Sequence, residues 1–411
     1  MALPVISAAR AGDIPFGLAG TVYLVQVAVG LIIFATFQQF VPDALDTGDA
    51  LPGILVTVYG AARFLFETPS GAITDRIERK RGMLLGFIIM GASVALMAFV
   101  REPAAYLAFS ALLGIGNAFL WPATYAISAD MYPPSKRGQA SGYLNVAQLL
   151  GYGTGGLAGA LVVESLPTLQ FVICAIALLL AFFLVVRVVP GYRGGTAPGE
   201  QRPSIWSIMS VKISLMAALV LGASSSSAML IPAIRPFGED QLGVSFATVT
   251  LALGPALIIG AAAYVPAGRL ADRYGRAYPF VAGQLLVATG LIGLSMVTRV
   301  ELGAVLAIFV FSGFTMSIPA WSSAVMDLAP LSHRGSIIGL TVAMSGAGLA
   351  VGPAIGGVVT ELQDAVMTLR TAAALSLATG FGIFVYWKLY GDGRAVDTGQ
   401  QPGTTAERQR P

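Results

Sequence analysis

Arg63 and Glu67 are ionisable residues four positions apart inside a long apolar run at residues 50–72. Four residues make about one helical turn, so both side chains would lie on one face of a helix. If this run crosses a membrane, charges at that depth are costly and usually face a bundle interior or an aqueous cavity. One hypothesis makes Glu67 a proton-coupling site and Arg63 its partner or an anion contact. The alternative is structural: Arg63 extends its charge to the aqueous boundary, and Glu67 joins the basic segment that follows.

Acids, bases and glycines also recur in two similar segments, at residues 69–80 and 266–277, with a constant offset of 197 positions. The matched residues are Gly71, Asp75, Arg76 and Arg79 in the first segment and Gly268, Asp272, Arg273 and Arg276 in the second. Asp130 and Asp327 follow at the same offset. They are natural ion-pair partners for Arg79 and Arg276, so the sequence predicts two equivalent pairs.

The same offset pairs glycines, prolines and arginines without a gap over about ninety residues, from residue 71 to residue 159 and from 268 to 356. Apolar residues could match by chance, whereas Asp, Arg and Pro could not. The chain therefore divides into an N-terminal bundle (1–189), a Gly/Pro-rich linker (190–206), a C-terminal bundle (207–390) and a polar tail (391–411).

Composition limits what these elements can be. Of the 411 residues, 56% are hydrophobic and only 11% charged, against about 25% charged in soluble domains. This excludes an ordinary soluble enzyme, a disordered chain and a nucleic-acid binder. Cys174 and His333 are the single residues of their types, which leaves no thiolate or imidazole cluster for a metal. We expect no metal site and no cofactor.

A membrane-spanning helix needs about 20 mostly apolar residues. Twelve runs meet this need: 14–40, 50–72, 82–100, 103–129, 139–163, 168–189, 207–232, 245–267, 279–298, 302–326, 336–359 and 366–390. None alternates apolar and polar residues as the strands of a membrane barrel do. The sequence predicts an all-α polytopic membrane protein with twelve transmembrane helices in two six-helix repeats of the same orientation.

Basic residues set the orientation of such a protein, because they concentrate in cytoplasmic loops. With the N-terminus inside, 19 of the 24 Lys and Arg residues fall on the inner side, four fall outside, and Arg63 lies within a helix. We therefore expect a multi-pass protein of the cell (inner) membrane with both termini in the cytoplasm.

The paired segments resemble the signature loop Gly-x-x-x-Asp-Arg-x-Gly-Arg-Arg/Lys of the major facilitator superfamily, between helices 2 and 3 and again in the second half. Glu78 replaces the usual Gly in the first copy, and Ala277 replaces the final basic residue in the second. The resemblance covers nearly the whole chain. It implies transport by alternating access, with the loop carboxylates latching the outward-facing state against the opposite half.

Transporters of this family line their cavity mainly with helices 1, 4, 7 and 10, and we add helix 5 to these for this chain. The polar and aromatic residues predicted to face the substrate are Tyr23, Gln26, Asn117, Trp121, Asn145, Gln148, Met229 and Trp321. Glycine motifs on helix 5 (151–159) and helix 11 (348–357) partly resemble an antiporter motif. They fit either tight helix packing or a device that sets the direction of transport.

These observations favour a non-enzymatic secondary transporter, with proton-coupled efflux of a drug-like or amphipathic compound as the first interpretation. Uptake or exchange of a small organic anion is the alternative, kept open by Arg63, and a non-transporting membrane sensor is a distant third. The expected partners are a small-molecule substrate, protons and the lipid bilayer, with no nucleic acid and a monomeric state.

Overall fold

The computed structural model describes residues 8–48, 50–131, 137–189, 191, 210–328 and 334–391, and these ranges contain helices and no strand. Inside the helices, some side chains fall outside the described set. They include those of Asp75, Asp130, Asp272 and Asp327. Most of the predicted linker and tail, and the segment with His333, also lie outside the described residues.

We number the membrane-crossing units α1 to α12. In the first half, α1 is Ala8–Leu31 continued by π-helical Ile32–Phe40 and by Val41–Leu45, α2 is Ala50–Ile77, α3 is Arg79–Phe99, α4 is Pro103–Ala118 continued by Leu120–Met131, α5 is Arg137–Val163 and α6 is Leu169–Val188. In the second half, α7 is Val211–Ala228 continued by Leu230–Pro236 and π-helical Phe237–Gln241, α8 is Phe246–Ala262 continued by Tyr264–Tyr274, α9 is Ala277–Leu294, α10 is Val300–Leu328, α11 is Arg334–Leu362 and α12 is Ala365–Tyr390.

Among the described residues, eleven of these units are long and apolar enough to cross a membrane, and the apolar helix Phe246–Ala262 of α8 is shorter. Backbone polar groups have no water partner in lipid, so continuous helices satisfy them internally. The predicted all-α fold of twelve helices is confirmed.

Helix packing repeats between the halves. In the first half α1 packs on α5 and α6, α4 packs on α2 and α3, and α3 packs on α6. In the second half α7 packs on α11 and α12, α10 packs on α8 and α9, and α9 packs on α12. Every pair in one list has its counterpart in the other, so the sequence repeat is a repeat of packing.

The glycines of α5 and α11 serve this packing. A Cβ at Gly151 would lie 2.6 Å from the Tyr23 carbonyl oxygen of α1, and a Cβ at Gly356 would lie 2.6 Å from the Met229 carbonyl oxygen of α7. A side chain at either position would separate the two helices. Both motifs therefore form close contacts within their own half.

The two halves meet along α2 with α11 and α5 with α8. A Cβ at Gly53 would lie 2.7 Å from the Pro353 carbonyl oxygen, and one at Gly60 would lie 2.8 Å from the Ala350 amide nitrogen. These contacts lie toward the start of α2 and the end of α11. We call this end of the bundle the far end, and the end with residues 69–80 and 266–277 the basic end.

The signature segments at the basic end differ from the expected loops. Residues 69–77 continue helix α2, and Tyr264–Tyr274 is helical as well. The chain turns instead at Glu78, with φ 117°, and at its repeat counterpart Gly275, with φ 96°. The expectation of loops was wrong, because Gly71 and Pro69 are tolerated within a helix and only one residue per copy needs positive φ. Glycine adopts that conformation freely, and glutamate does not.

Candidate functional site

Arg63 of α2 is buried, with 7% of its surface exposed. Its guanidinium carbon lies 5.6 Å from the ring centroid of Trp121 on α4. Glu67, Tyr59 and Tyr152 lie close enough to interact electrostatically with it. A cation over an indole face is attracted by the ring quadrupole. The arginine therefore turns into the bundle, where an aromatic face and polar groups surround the charge.

A glycine on α4 makes room for this arginine. A Cβ at Gly114 would lie 3.1 Å from the Arg63 amide nitrogen and closer still to the Tyr59 carbonyl oxygen. In the second half the repeat counterpart of Arg63 is Gly260, which packs on Phe311, the counterpart of Gly114. At the α2–α4 crossing the large residue is on α2 and the glycine on α4, whereas at the equivalent α8–α10 crossing the glycine is on α8 and the large residue on α10. Only the crossing in the first half carries a charge.

Several polar atoms of α1, α2 and α4 are buried without a hydrogen-bond partner among the described residues. They are both amide atoms of Gln26, both amide atoms of Asn117, Nε1 of Trp121, Nε of Arg63 and Oε2 of Glu67. A buried polar group without a partner costs about 1–3 kcal/mol. Buried polar groups without a partner are typical of a site that binds a polar ligand or water.

Repeat counterparts of these polar residues are apolar or small. Gln26, Asn117 and Trp121 correspond to Ala223, Phe314 and Ile318. Phe314 packs partly buried against the second half's core. At equivalent positions, therefore, one half is polar and the other apolar.

An amide on α5 connects the two halves beside this cluster. The Asn145 side chain lies within hydrogen-bonding range of the hydroxyls of Tyr125 on α4 and of Tyr264 on α8. Tyr125 also lies within electrostatic range of Glu67 and Arg63. Tyr264 is the repeat counterpart of Glu67. The two equivalent positions are thereby brought to the same region from opposite halves.

Other predicted cavity residues lie in different surroundings. Tyr23 packs partly buried against the core of the first half. Gln148 is half-buried on α5. Met229 is fully buried in an apolar cluster of the second half, and Trp321 packs against a second such cluster. The structure thus places Trp121 over Arg63 and Asn145 beside Tyr125. The amides of Gln26 and Asn117 are buried, and the other aromatic and Met candidates pack against apolar cores.

Three tyrosines of this site, Tyr59, Tyr152 and Tyr264, were missed in the sequence. Tyr59 lies four positions before Arg63 and so on the same helix face, a signal that could have identified it. Tyr152 and Tyr264 carried no such signal, because only tertiary packing brings α5 and α8 to α2.

At the basic end, the signature glycines face prolines of their own half. A Cβ at Gly71 would lie 3.3 Å from Cβ of Pro122, and one at Gly268 would lie 3.9 Å from Cβ of Pro319. The described basic residues differ in exposure: Arg79 is 9% exposed, whereas Arg76 and Arg273 are exposed and Arg276 is half-buried. The predicted pairs of Arg79 and Arg276 with Asp130 and Asp327 involve side chains outside the described residues.

No group of His, Cys, Asp and Glu that could hold a metal ion occurs among the described side chains. The described side chains of the site supply one carboxylate, one guanidinium, amides, tyrosine hydroxyls and an indole. These groups can hold a proton, contact an anion and donate or accept hydrogen bonds.

Comparison with known proteins gives a consistent result. The family model described as Major Facilitator Superfamily matches residues 18–232 and 213–409. A proton-coupled antiporter flippase, LtaA, of Staphylococcus saprophyticus is 25% identical over 374 residues, covering 88% of this chain and 92% of the relative. The quinolone resistance protein NorA of Staphylococcus aureus is 21% identical, covering 85% and 90%.

Solved structures share the fold. A bacterial homologue of the human lysosomal transporter Spinster, crystallised in an inward-facing and occupied conformation, superposes with a TM-score of 0.81 at 14% identity, covering 95% of this chain and 100% of the other. The human organic anion transporter MFSD10 superposes with a TM-score of 0.67 at 16% identity, covering 91% and 99%.

Proposed function

The chain belongs to the major facilitator superfamily, and from this premise we propose that it exports an amphipathic or drug-like compound in exchange for protons. It is a multi-pass membrane transporter and not an enzyme. The substrate class, the direction of transport and the roles of individual residues are parts of the proposal, as are the cytoplasmic location of both termini and a monomeric state.

This proposal rests on a difference between the two halves: positions that are polar in the first half are apolar at the equivalent places in the second. Gln26 and Asn117 are fully buried with unpartnered amides, while their counterparts Ala223 and Phe314 are apolar. A solute with a polar head and an apolar body would satisfy the amides and shield its body against the opposite half. A uniformly polar solute would place polar groups against the apolar second half, where they would find no hydrogen-bond partners.

The relatives support exchange with protons. Two of them are named for proton-coupled antiport and for quinolone resistance, and the chain spans about nine-tenths of each. Among the described side chains, Glu67 is the carboxylate inside a membrane-spanning helix that has a buried, unpartnered oxygen. Protonation would remove its charge and change its attraction to Arg63, so loading of a proton and of substrate can be linked through one guanidinium.

Vesicles reconstituted with purified protein test this function. An imposed pH gradient, combined with a screen of amphipathic fluorescent compounds, should drive accumulation of at least one of them. Glu67→Gln should abolish accumulation against a concentration gradient yet retain counterflow exchange, since exchange needs no net proton movement. Glu102→Gln, an exposed acid between α3 and α4, is the matched control and should behave as wild type.

Each result has a clear meaning. Gradient-driven accumulation that persists in Glu67→Gln would place the proton site elsewhere. Exchange in the wild-type protein without any response to the gradient would refute proton coupling, and absence of both accumulation and exchange across the screen would refute export of this class.

A small organic anion is the second candidate, favoured by Arg63. Its guanidinium is buried over Trp121, and Nε has no partner in the described part of the chain. An anion would supply the charge-assisted hydrogen bond that this atom lacks. If Arg63→Gln abolishes competition by anionic compounds but leaves transport of neutral amphipaths intact, the anion is a substrate. If both are lost equally, Arg63 is needed for transport of either kind of compound.

A further inference from the structure

Two glutamates at the far end reach from one half of the protein to the other. Glu361, in the last turn of α11, accepts a hydrogen bond from the Ala50 amide nitrogen at the start of α2, 3.1 Å from Oε2. Glu164, directly after the end of α5, accepts one from the Ala247 amide nitrogen at the start of α8, 3.3 Å from Oε1. Each bond links a helix end of one half to a helix start of the other.

Both bonds follow the internal repeat. Ala50 and Ala247 are 197 positions apart, and so are Glu164 and Glu361. The donor and the acceptor are thus duplicated together, although the residues that follow the glutamates, 165–168 and 362–365, differ at every position. One bond lies at the α2–α11 interface and its equivalent lies at the α5–α8 interface. This duplication indicates that the two bonds have the same role at the far end, and that the role is independent of the polar site in the first half.

Helix electrostatics explain why glutamate stands there. The carbonyl end of a helix carries partial negative charge and the amide end partial positive charge. A glutamate at the end of α5 or α11 is therefore disfavoured by its own helix. It is favoured only while the start of α8 or α2 lies against it, which requires that the two halves be closed at this end.

The surrounding packing leaves little room between the partners. A Cβ at Gly48 would lie 3.3 Å from both carboxylate oxygens of Glu361. Gly53 and Gly357 hold the α2 and α11 backbones together one turn further in, where a Cβ at Gly53 would lie 2.9 Å from Cα of Gly357. Small residues thus bring the Glu361 carboxylate within reach of the start of α2.

An ion pair reinforces the closure. Arg235, in the continuation of α7, pairs with Asp43 in the continuation of α1 at 2.7 Å. Arg235 also contacts Glu239 at 3.0 Å, and Asp43 accepts a hydrogen bond from Gln39. The pair connects the first and second halves at the same end.

We propose that Glu164 and Glu361, aided by the Asp43–Arg235 pair, form a far-end clamp that holds the far end closed and must open once in each transport cycle. Its strength sets the population of the state closed at the far end. The clamp depends on the two helix-end contacts and not on which compound is carried.

Distance measurements between spin labels test the clamp. Labels at Leu166→Cys in the first half and Met296→Cys in the second, both exposed at the far end, report its opening when the buried Cys174 is replaced by Ala. Glu164→Ala and Glu361→Ala should each raise the ratio of open to closed molecules about two- to fivefold. The double variant should multiply the two effects. Glu102→Ala, an exposed acid at the same end, is the control and should leave the ratio unchanged.

The outcomes separate the clamp from the proposed function, because the labels report opening without any substrate. Equal distance distributions for the wild type and the double variant would overturn the clamp. A shift seen only in one single variant would overturn the equivalence of the two bonds. If a variant fails to fold, Glu164→Gln and Glu361→Gln test the charge by itself, since they keep the size and an accepting oxygen, and they should still raise the ratio of open to closed molecules.

Discussion

Glu78 offers a direct test of how the internal repeat is built. Its φ of 117° lies in a region that side chains with a Cβ rarely adopt, and its counterpart Gly275 has φ 96°. Backbone conformations of this kind cost of order 1–3 kcal/mol for a residue other than glycine. The substitution Glu78→Gly should remove that cost without altering the turn, because the backbone bonds from Glu78 to Thr74 and from Gly82 to Glu78 remain.

The substitution also removes a contact. Glu78 pairs with Arg81 at 3.2 Å, and the Arg81 side chain is 67% exposed. Exposed pairs contribute about 0.2–1 kcal/mol. The strain relief outweighs this loss, so the net gain in the free energy of unfolding should be about 1–2 kcal/mol. For a folding unit the size of one six-helix half, each kcal/mol gained in the free energy of unfolding raises Tm by about 2–4 °C.

Thermal unfolding in detergent, followed by circular dichroism, measures the effect. Glu78→Gly should raise Tm by roughly 2–8 °C. The matched control is Gly275→Ala, which places a Cβ at the equivalent positive φ and should lower Tm. A lower Tm for Glu78→Gly, or no change for both variants, would refute the assignment of strain to this position.

Three further changes have defined outcomes. Gly53→Ala places a Cβ 2.7 Å from the Pro353 carbonyl oxygen, and overpacking of this kind costs about 1–3 kcal/mol. Spin-label distances should therefore show roughly a tenfold rise in the ratio of molecules open to closed at the far end. An unchanged ratio would contradict the packing argument. Gly114→Ala crowds α2 within one half and should lower Tm, whereas Gly91→Ala, which meets nothing within 4 Å, should raise it slightly by helix propensity; the reverse order would be decisive against the crowding. Gln26→Leu removes two buried unpartnered atoms and should raise Tm while increasing the substrate concentration needed for half-maximal transport; unchanged transport would show that the amide does not contact substrate.

Much of the fold could be predicted from the sequence. Twelve apolar runs predicted twelve helices, because a helix in lipid must satisfy its own backbone and so needs about 20 apolar residues. The 197-residue offset of Asp75 and Asp272 predicted two equivalent halves. Arg63 and Glu67 stood out as charges inside an apolar run whose counterparts in the second copy are uncharged, and the structure places Arg63 in the bundle over Trp121.

Other features could not be read from residue types. The helical course of residues 69–77 was mistaken for a loop, since glycine, proline and charges look alike in loops and in helix ends. Glu78 was visible as a departure from a familiar pattern, but its φ of 117° appears only when two helices are joined in space.

What the sequence determined by itself is therefore local or periodic: span lengths, the duplication, the sidedness of charge and the one helix face that carries Arg63 and Glu67. Only the tertiary structure decided which residues meet across helices, such as Asn145 with Tyr264 and Glu361 with Ala50. The physical reason is that apolar runs specify burial in lipid but not register. Register comes from the glycines, whose missing side chains determine where two backbones can touch.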